Sequence, residues 1–269
     1  MIRDITLGQY YQAESPIHHL DPRTKLISTM LYIVSLFLMK NFIGYIVVLV
    51  FLGTVIKISQ VPLKFILKGM KAIFMLLLIT VFFNLVLTPG DTAISFWIIN
   101  ITWQGIRTAA FMAARLALLI VGTSLMTLTT TPNNLTDGLE SLLGPLKKIK
   151  VPVHEISMMM SIALRFIPIL LEETDKIMKA QIARGADFES GNLIKKIKSL
   201  VPLLVPLFIS AFRRANDLAM AMEARCYRGG EHRTKMKPLA YHKQDVYALI
   251  LVVVYMIACA VVGRILVLV

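Results

Sequence analysis

The chain has 269 residues, 57% of them hydrophobic and only 17% charged, against roughly 45–50% and 25% in ordinary soluble domains. The bilayer is therefore its expected solvent. A net charge of +13 is read as the basic cytoplasmic face of a membrane protein and not as a nucleic-acid surface, because no nucleic-acid recognition module accompanies it. Two cysteines, Cys226 and Cys259, make no disulfide framework.

The first 25 residues include Asp4, Glu14, His18, His19 and Asp21. They lack the apolar core of a signal peptide, so the N-terminus is expected to be retained. Apolar runs follow at 26–39, 42–56, 72–87, 108–130 and 246–262. The first two are short, and 26–56 could form one long tilted helix. Charge parity favours two spans. Arg23 and Lys25 precede the stretch, while Lys57, Lys64, Lys68 and Lys71 follow it, which puts both flanks inside and requires an even number of crossings. The segment with Asp91, Trp97, Asn100 and Trp103 has the character of an outer interface. Of 29 Lys and Arg, 18 fall within 132–245, seven on the other inner segments and four on the outer side. The expected topology is five spans, N-terminus and basic region cytoplasmic, C-terminus outside. The expected division is a four-span membrane domain at 1–131, a cytoplasmic region at 132–245 and a last span at 246–269.

The spans carry little that would bind a polar solute. Asn84 and Arg115 are the strongly polar candidates, both read as structural or interfacial, with Arg115 near enough to an end to snorkel. No G-x-x-x-x-G-K-[ST] motif occurs; Gly191 with Lys195 and Lys196 lacks the second glycine. His18, His19, His154, His232 and His242 lack metal-site spacing. No catalytic residue, metal site or cofactor site is assigned, so the chain is not expected to be an enzyme.

Residues 154–184 read as a helix, with Ile156, Met159, Met160, Ala163, Phe166, Ile167 and Leu170 at helical intervals. Gly185 is its natural stop. A second helix is expected over 193–227, ended by Gly229-Gly230, with a reach of roughly 50 Å. Pro168 is expected to kink the first, Pro202 and Pro206 the second. The two stretches resemble each other. Lys147-Lys148-Ile149-Lys150 precedes one and Lys195-Lys196-Ile197-Lys198 the other, and each ends in Ala-Arg-small: Ala183-Arg184-Gly185 and Ala224-Arg225-Cys226. From cluster to arginine is 34 residues in the first and 27 in the second. The difference of seven is about two helical turns. A guanidinium beside small neighbours can enter a narrow groove and bond carboxylates in bidentate fashion, so a paired acidic docking surface is expected. Met158, Met159, Met160, Met220 and Met222 add adaptable apolar area.

Further segments stand in order along the chain: His19-Leu20-Asp21-Pro22-Arg23-Thr24-Lys25, Thr127-Leu128-Thr129-Thr130-Thr131-Pro132, Val151-Pro152-Val153-His154-Glu155-Ile156 and Leu164-Arg165-Phe166-Ile167-Pro168. Ala180-Gln181-Ile182-Ala183-Arg184-Gly185-Ala186 and the run from Ala221 through Ala224-Arg225-Cys226 to Gly230 complete the series. Together they are similar to the transmembrane T component of energy-coupling factor transporters, a branch of the ABC importers for vitamins and other micronutrients.

The resemblance implies an all-α, multi-pass membrane helix bundle of about five transmembrane helices, with long cytoplasmic coupling helices, in the plasma membrane of a prokaryote. It implies two homologous ABC ATPase subunits as partners, which bind the ATP and Mg, and a substrate-binding membrane S component; membrane lipid surrounds the chain. Arg184 and Arg225 would each dock in one ATPase subunit. The third position of the second motif is usually glycine or serine, where this chain has Cys226. Length and the Val-Pro-Val-His-Glu-Ile region look more like the shared form serving several S components than the dedicated cobalt or biotin forms. The competing expectation is an autonomous secondary transporter. A membrane enzyme using Glu172, Glu173 and Asp175 ranks lower, since these read as a solvated helix face.

Overall fold

The computed structural model describes residues 10–39, 41–89, 91–96, 99–188, 192–230, 236 and 238–265. Trp97, Gly191 and His232 lie outside the described residues. The first helix, α1 (Pro22–Leu38), starts where Asp21 accepts a hydrogen bond from the Arg23 amide and Pro22 occupies the first turn, where its missing N–H costs nothing. It stops before Asn41, and α2 (Phe42–Ser59) begins anew. The stretch is thus two helices and not one tilted rod. Then come α3 (Leu63–Leu87), a hairpin of β1 (Thr92–Phe96) and β2 (Ile99–Thr102), and α4 (Trp103–Thr129). Next are α5 (Pro132–Leu142), a 3-10 turn over Gly144–Ile149, α6 (Val153–Ala183), α7 (Leu193–Ala224) and α8 (Lys243–Ile265).

The protein is an all-α membrane helix bundle with one short hairpin in the loop read as an outer interface. Its strands pair antiparallel, Phe96 opposite Ile99. Thr102 joins hairpin to helix, its hydroxyl accepting from the Gly105 amide to cap α4 and donating to the Thr88 carbonyl.

Among the described residues four helices are long and apolar enough to cross a bilayer, α2, α4, α6 and α8, and α3 makes a fifth if its halves, bent by 60° between Lys71 and Ile73, count as one span. The membership differs from the sequence reading at two places. With 17 residues, α1 reaches about 25 Å, short of the roughly 30 Å hydrocarbon core. The apolar first half of α6 qualifies, while its second half carries Glu172, Glu173, Asp175, Lys176 and Lys179.

The chain divides into two compact units, 142–238 and a second made of 8–141 with 239–269. In the second, α1 and α2 each pack on α4 and α8, and α3 packs on α4. Leu36, Val48, Leu52 and Cys259 fill its centre. Three hydroxyls buried at this centre are paired, as a low-dielectric interior favours. Tyr32 donates to the Leu118 carbonyl at 2.8 Å, Ser35 and Tyr255 share a hydrogen bond at 2.7 Å, and Tyr255 stacks on Phe51 at 4.0 Å. Gly122 lies against the Tyr32 ring, which any Cβ there would strike. The outward faces carry Leu49, Val50, Val253 and Val254, all exposed, as expected of helices solvated by lipid.

Arg115 does not simply snorkel. Its guanidinium donates to Tyr45 Oη at 3.2 Å and to the Met39 carbonyl at 3.1 Å, between the rings of Phe111 and Phe37. The Met39 carbonyl is one of the acceptors that the end of α1 leaves without an intrahelical partner. Arg115 therefore seals the α1–α2 break. Asn84 donates to the Thr80 carbonyl of its own helix, again a structural use.

Candidate coupling site at two helix ends

Both Ala-Arg-small tripeptides are helix C-caps of the same geometry. At the end of α6, Arg184 is the cap residue, the Gly185 amide donates to the Ile182 carbonyl at 2.9 Å, and the Ala186 amide donates to the Gln181 carbonyl at 3.0 Å. At the end of α7, Arg225 is the cap, the Cys226 amide donates to the Glu223 carbonyl at 2.8 Å, and the Tyr227 amide donates to the Met222 carbonyl at 3.1 Å. Each is a complete Schellman motif, with the residue after the cap in the left-handed region. Gly185 has φ +86° and Cys226 φ +55°. The small third residue is thus a conformational requirement. A Cβ at Gly185 would meet nothing within 4 Å, so backbone angle and not crowding within the chain calls for glycine there. The same fact corrects the expected end of α7. It stops at Ala224, ahead of Gly229-Gly230, because Cys226 already takes positive φ.

Arg184 and Arg225 are both exposed, and each sits on the partially negative end of a helix, where a cation is favourably held. Capping fixes the backbone from which each guanidinium projects and leaves its donors free to face outward.

The helices bearing these ends run antiparallel. Gln181 donates to the Pro202 carbonyl, while Glu173, two turns earlier, accepts from Ser210 at 2.8 Å and pairs with Arg214 at 2.6 Å. At the far end, Gly230 lies against the His154 ring at the start of α6, leaving no room for a Cβ. Arg184 therefore lies level with the beginning of α7 and Arg225 with the beginning of α6. At 1.5 Å per residue the two arginines are on the order of 40 Å apart along the pair. Pro168, Pro202 and Pro206 lie inside continuous helices.

Glu173 is part of a link between the two helices and not only of a solvated face. Exchanging Glu173 and Arg214 should preserve a disulfide cross-link engineered between Gln181→Cys and Pro202→Cys, whereas Glu173→Lys alone should lower its yield. Equal yields in all three would show that the pair does not hold the helices in register. The effect is expected to be modest, since exposed ion pairs contribute little.

The repeat in the sequence holds at the helix ends but not at their starts. The first lysine cluster lies in the 3-10 turn, where Lys150 has φ +63°, outside α6. The second lies inside the first turns of α7. Part of the longer first interval is thus loop, including Val151-Pro152, which the lysine-to-arginine count could not reveal.

The chain matches the family model of CbiQ, cobalt transport protein, over residues 13–236. It is 58% identical over 250 residues to the energy-coupling factor transporter transmembrane protein EcfT of Clostridium kluyveri, with 92% of this chain and 93% of that one covered. Proteins of the same name from Ruminiclostridium cellulolyticum and Bacillus subtilis are 53% and 46% identical over 256 and 255 residues, covering 95% and 94% of this chain and 96% of each relative. The chain belongs to this family. It is a multi-pass transmembrane component of an energy-coupling factor transporter.

Within an energy-coupling factor component, the segment His19 to Lys25 acquires a physical reading. Asp21 accepts from the Arg23 guanidinium at 2.8 Å and its amide donates to Asp245 Oδ1 at 2.7 Å, while Asp245 Oδ2 accepts from the His242 amide. Lys25 Nζ donates to the carbonyls of His18 and Thr129 at 3.0 and 2.8 Å. The segment ties the start of α1 to the start of α8 and the end of α4. Burial pushes the Asp21 carboxyl up, but hydrogen bonds from the Arg23 side chain and backbone, together with its charge, hold it below the usual carboxylate range. This contribution to stability is present at neutral pH and is lost only as pH falls through that lowered value. The pairing of Asp245 with the Asp21 amide and of Glu173 with Arg214 has no local signal in the sequence, because the partners lie 224 and 41 residues away.

Proposed function

We propose that the chain couples a pair of ABC ATPases to a substrate-binding S component, with Ala183-Arg184-Gly185 docking one ATPase subunit and Ala224-Arg225-Cys226 the other. The observation carrying this reading is that two exposed arginines end two antiparallel helices in the same Schellman geometry, on the order of 40 Å apart. One ATPase groove cannot take both; two homologous subunits can. ATP and Mg are held by those subunits, and this chain performs no catalysis. Closing and opening of the ATPase pair would shift the two helix ends and, through α6 and α7, an apolar grip on the S component. The exposed stripe of α7, with Val201, Leu204, Val205, Phe208 and Phe212, has the contiguous apolar character of such a grip, and Met159 and Met220, also exposed, add adaptable area. In this reading α1, at the lower end of the roughly 17–25 residues that a span takes, is the first of four spans within 1–131. Although α6 is apolar enough to cross by composition, it lies instead with the rest of 132–245 on the cytoplasmic side. The N-terminus faces the same side, and the last helix carries the C-terminus outward.

The transported solute is a vitamin or other micronutrient captured by the S component. The relatives are named as energy-coupling factor components and the family model as a cobalt transport protein, and the shared form remains our reading of this chain. Reconstitution in liposomes tests the division of labour. Uptake is expected only when this chain, both ATPases and an S component are present with ATP. Solute accumulation by this chain alone under a proton or sodium gradient would instead establish a secondary transporter.

A further inference from the structure

Among the described residues the chain passes twice between the membrane unit and the unit at 142–238, which carries α6 and α7. It leaves after Ser141, in the last turn of α5, and returns at Leu239, two residues ahead of Tyr241. These two leads join the arginine-tipped helices covalently to the membrane unit.

Arg23 touches both leads from within the membrane unit. Its Nη1 donates to Ser141 Oγ at 3.5 Å, and its guanidinium lies over the Tyr241 ring, 3.9 Å from the centre. Each lead is also held close by a second contact. A Cβ on Gly138, one turn before Ser141, would stand 3.0 Å from Pro22 Cβ, so α5 lies hard against the start of α1. On the other side, the Asp245 carboxylate receives the amides of both Asp21 and His242.

An arginine suits this position and a lysine does not. Nε and Nη2 are taken by the two oxygens of Asp21, at 3.0 and 2.8 Å, the fork geometry that a guanidinium offers and an ammonium lacks. That pair fixes the plane of the group, leaving Nη1 for Ser141 and a flat cationic face for the aromatic ring. The side chains of Arg23 and Asp21 are 13% and 2% exposed, so water competes little for the pair. Joining α1 to α4 and α8 does not require this reach, since Asp21, Lys25 and Asp245 already do it. What Arg23 adds beyond its pair with Asp21 goes to the two residues that flank the crossings.

We propose that Arg23 is a positioning residue for coupling, clasping the two leads together at the start of α1 so that movement of α6 and α7 enters the membrane unit as one displacement. This rests on the coupling role proposed above. A loosened clasp leaves docking and ATP hydrolysis intact, because Arg184 and Arg225 lie in the other unit, and dissipates the motion before it reaches the membrane helices.

The test uses the assembled complex in liposomes, this chain with its ATPases and an S component, and reads radiolabelled vitamin taken up per ATP hydrolysed. Tyr241 is 53% exposed, so Tyr241→Ala removes the aromatic face without disturbing the Asp21–Arg23 pair. It is expected to lower uptake per ATP several-fold while assembly and hydrolysis stay at native levels. Tyr241→Trp, which keeps a face for the guanidinium, should retain native coupling. Arg23→Gln combined with Asp21→Asn, which leaves no buried carboxylate unpaired, should match Tyr241→Ala, and adding Tyr241→Ala to it should lower the ratio no further, because members of one contact do not add. In the isolated chain, amide exchange at His242 and in the last turn of α5 should quicken in the same variants, which checks the clasp without any partner. Native uptake per ATP in the variants would overturn the proposal, even with quickened exchange. So would uptake and hydrolysis falling in proportion, since the residues would then serve assembly and not coupling. Absence of ATP-dependent uptake with the native chain would instead sink the coupling reading itself, and this proposal with it.

Discussion

Replacing Arg184 and Arg225 together by glutamate is expected to reduce recovery of the two ABC ATPases with this chain to background, while each single replacement leaves a reduced but measurable fraction. Each arginine would contribute charge-assisted, bidentate hydrogen bonds to carboxylates in a narrow groove, and glutamate both removes those donors and sets like charges against each other. The two contacts are joined by one packed helix pair, so the second to form is effectively intramolecular. Loss of one lowers avidity; loss of both removes docking. Co-purification at matched membrane levels, native against both single and the double variant, decides it. Undiminished recovery in the double variant would remove these arginines as the coupling site while leaving family membership untouched. Lysine at both positions should restore charge but not full recovery, because an ammonium cannot reproduce the planar fork.

Much of the membrane unit is legible in the sequence because its signals are local. Apolar runs mark helices, and the lysines at 57–71 mark a return to the starting side, which separates α1 from α2 before any contact is seen. The C-cap of α6 is equally local, since Gly185 follows the last periodic residue. The corresponding cap of α7 is not legible in this way, because a cysteine gives no outward sign of taking positive φ and Gly229-Gly230 offers a stronger stop signal beyond it; only the φ of Cys226 and the hydrogen bonds of Cys226 and Tyr227 reveal it. Long-range pairings leave no periodic trace. Nothing in the order of residues says that Arg115 reaches the Met39 carbonyl, that Asp245 receives the Asp21 amide, or that Glu173 meets Arg214. The lysine clusters show the opposite error, in which identical tetrapeptides sit in unlike backbone, one in a 3-10 turn and one in an α-helix.

The cap geometry makes a prediction of its own about the third position of each tripeptide. Gly185→Val should weaken ATPase recovery by roughly five- to thirtyfold, the equivalent of the 1–2 kcal/mol that a left-handed conformation costs an L-residue. A β-branched side chain at φ +86° is a steric outlier, so the chain would give up the bonds from the Gly185 and Ala186 amides, and Arg184 would no longer project from a fixed backbone. Amide hydrogen exchange at residues 185 and 186 should accelerate in the isolated chain, before any partner is added. Cys226→Gly should act in the opposite sense, relieving strain at φ +55° and slowing exchange at residues 226 and 227. If the third residue is small only because a partner's groove is narrow, Gly185→Val would impair docking with exchange unchanged, and Cys226→Gly would leave exchange where it was. Opposite shifts in exchange from the two substitutions can come only from the helix cap, and they would tie the arginine's presentation to the backbone that carries it.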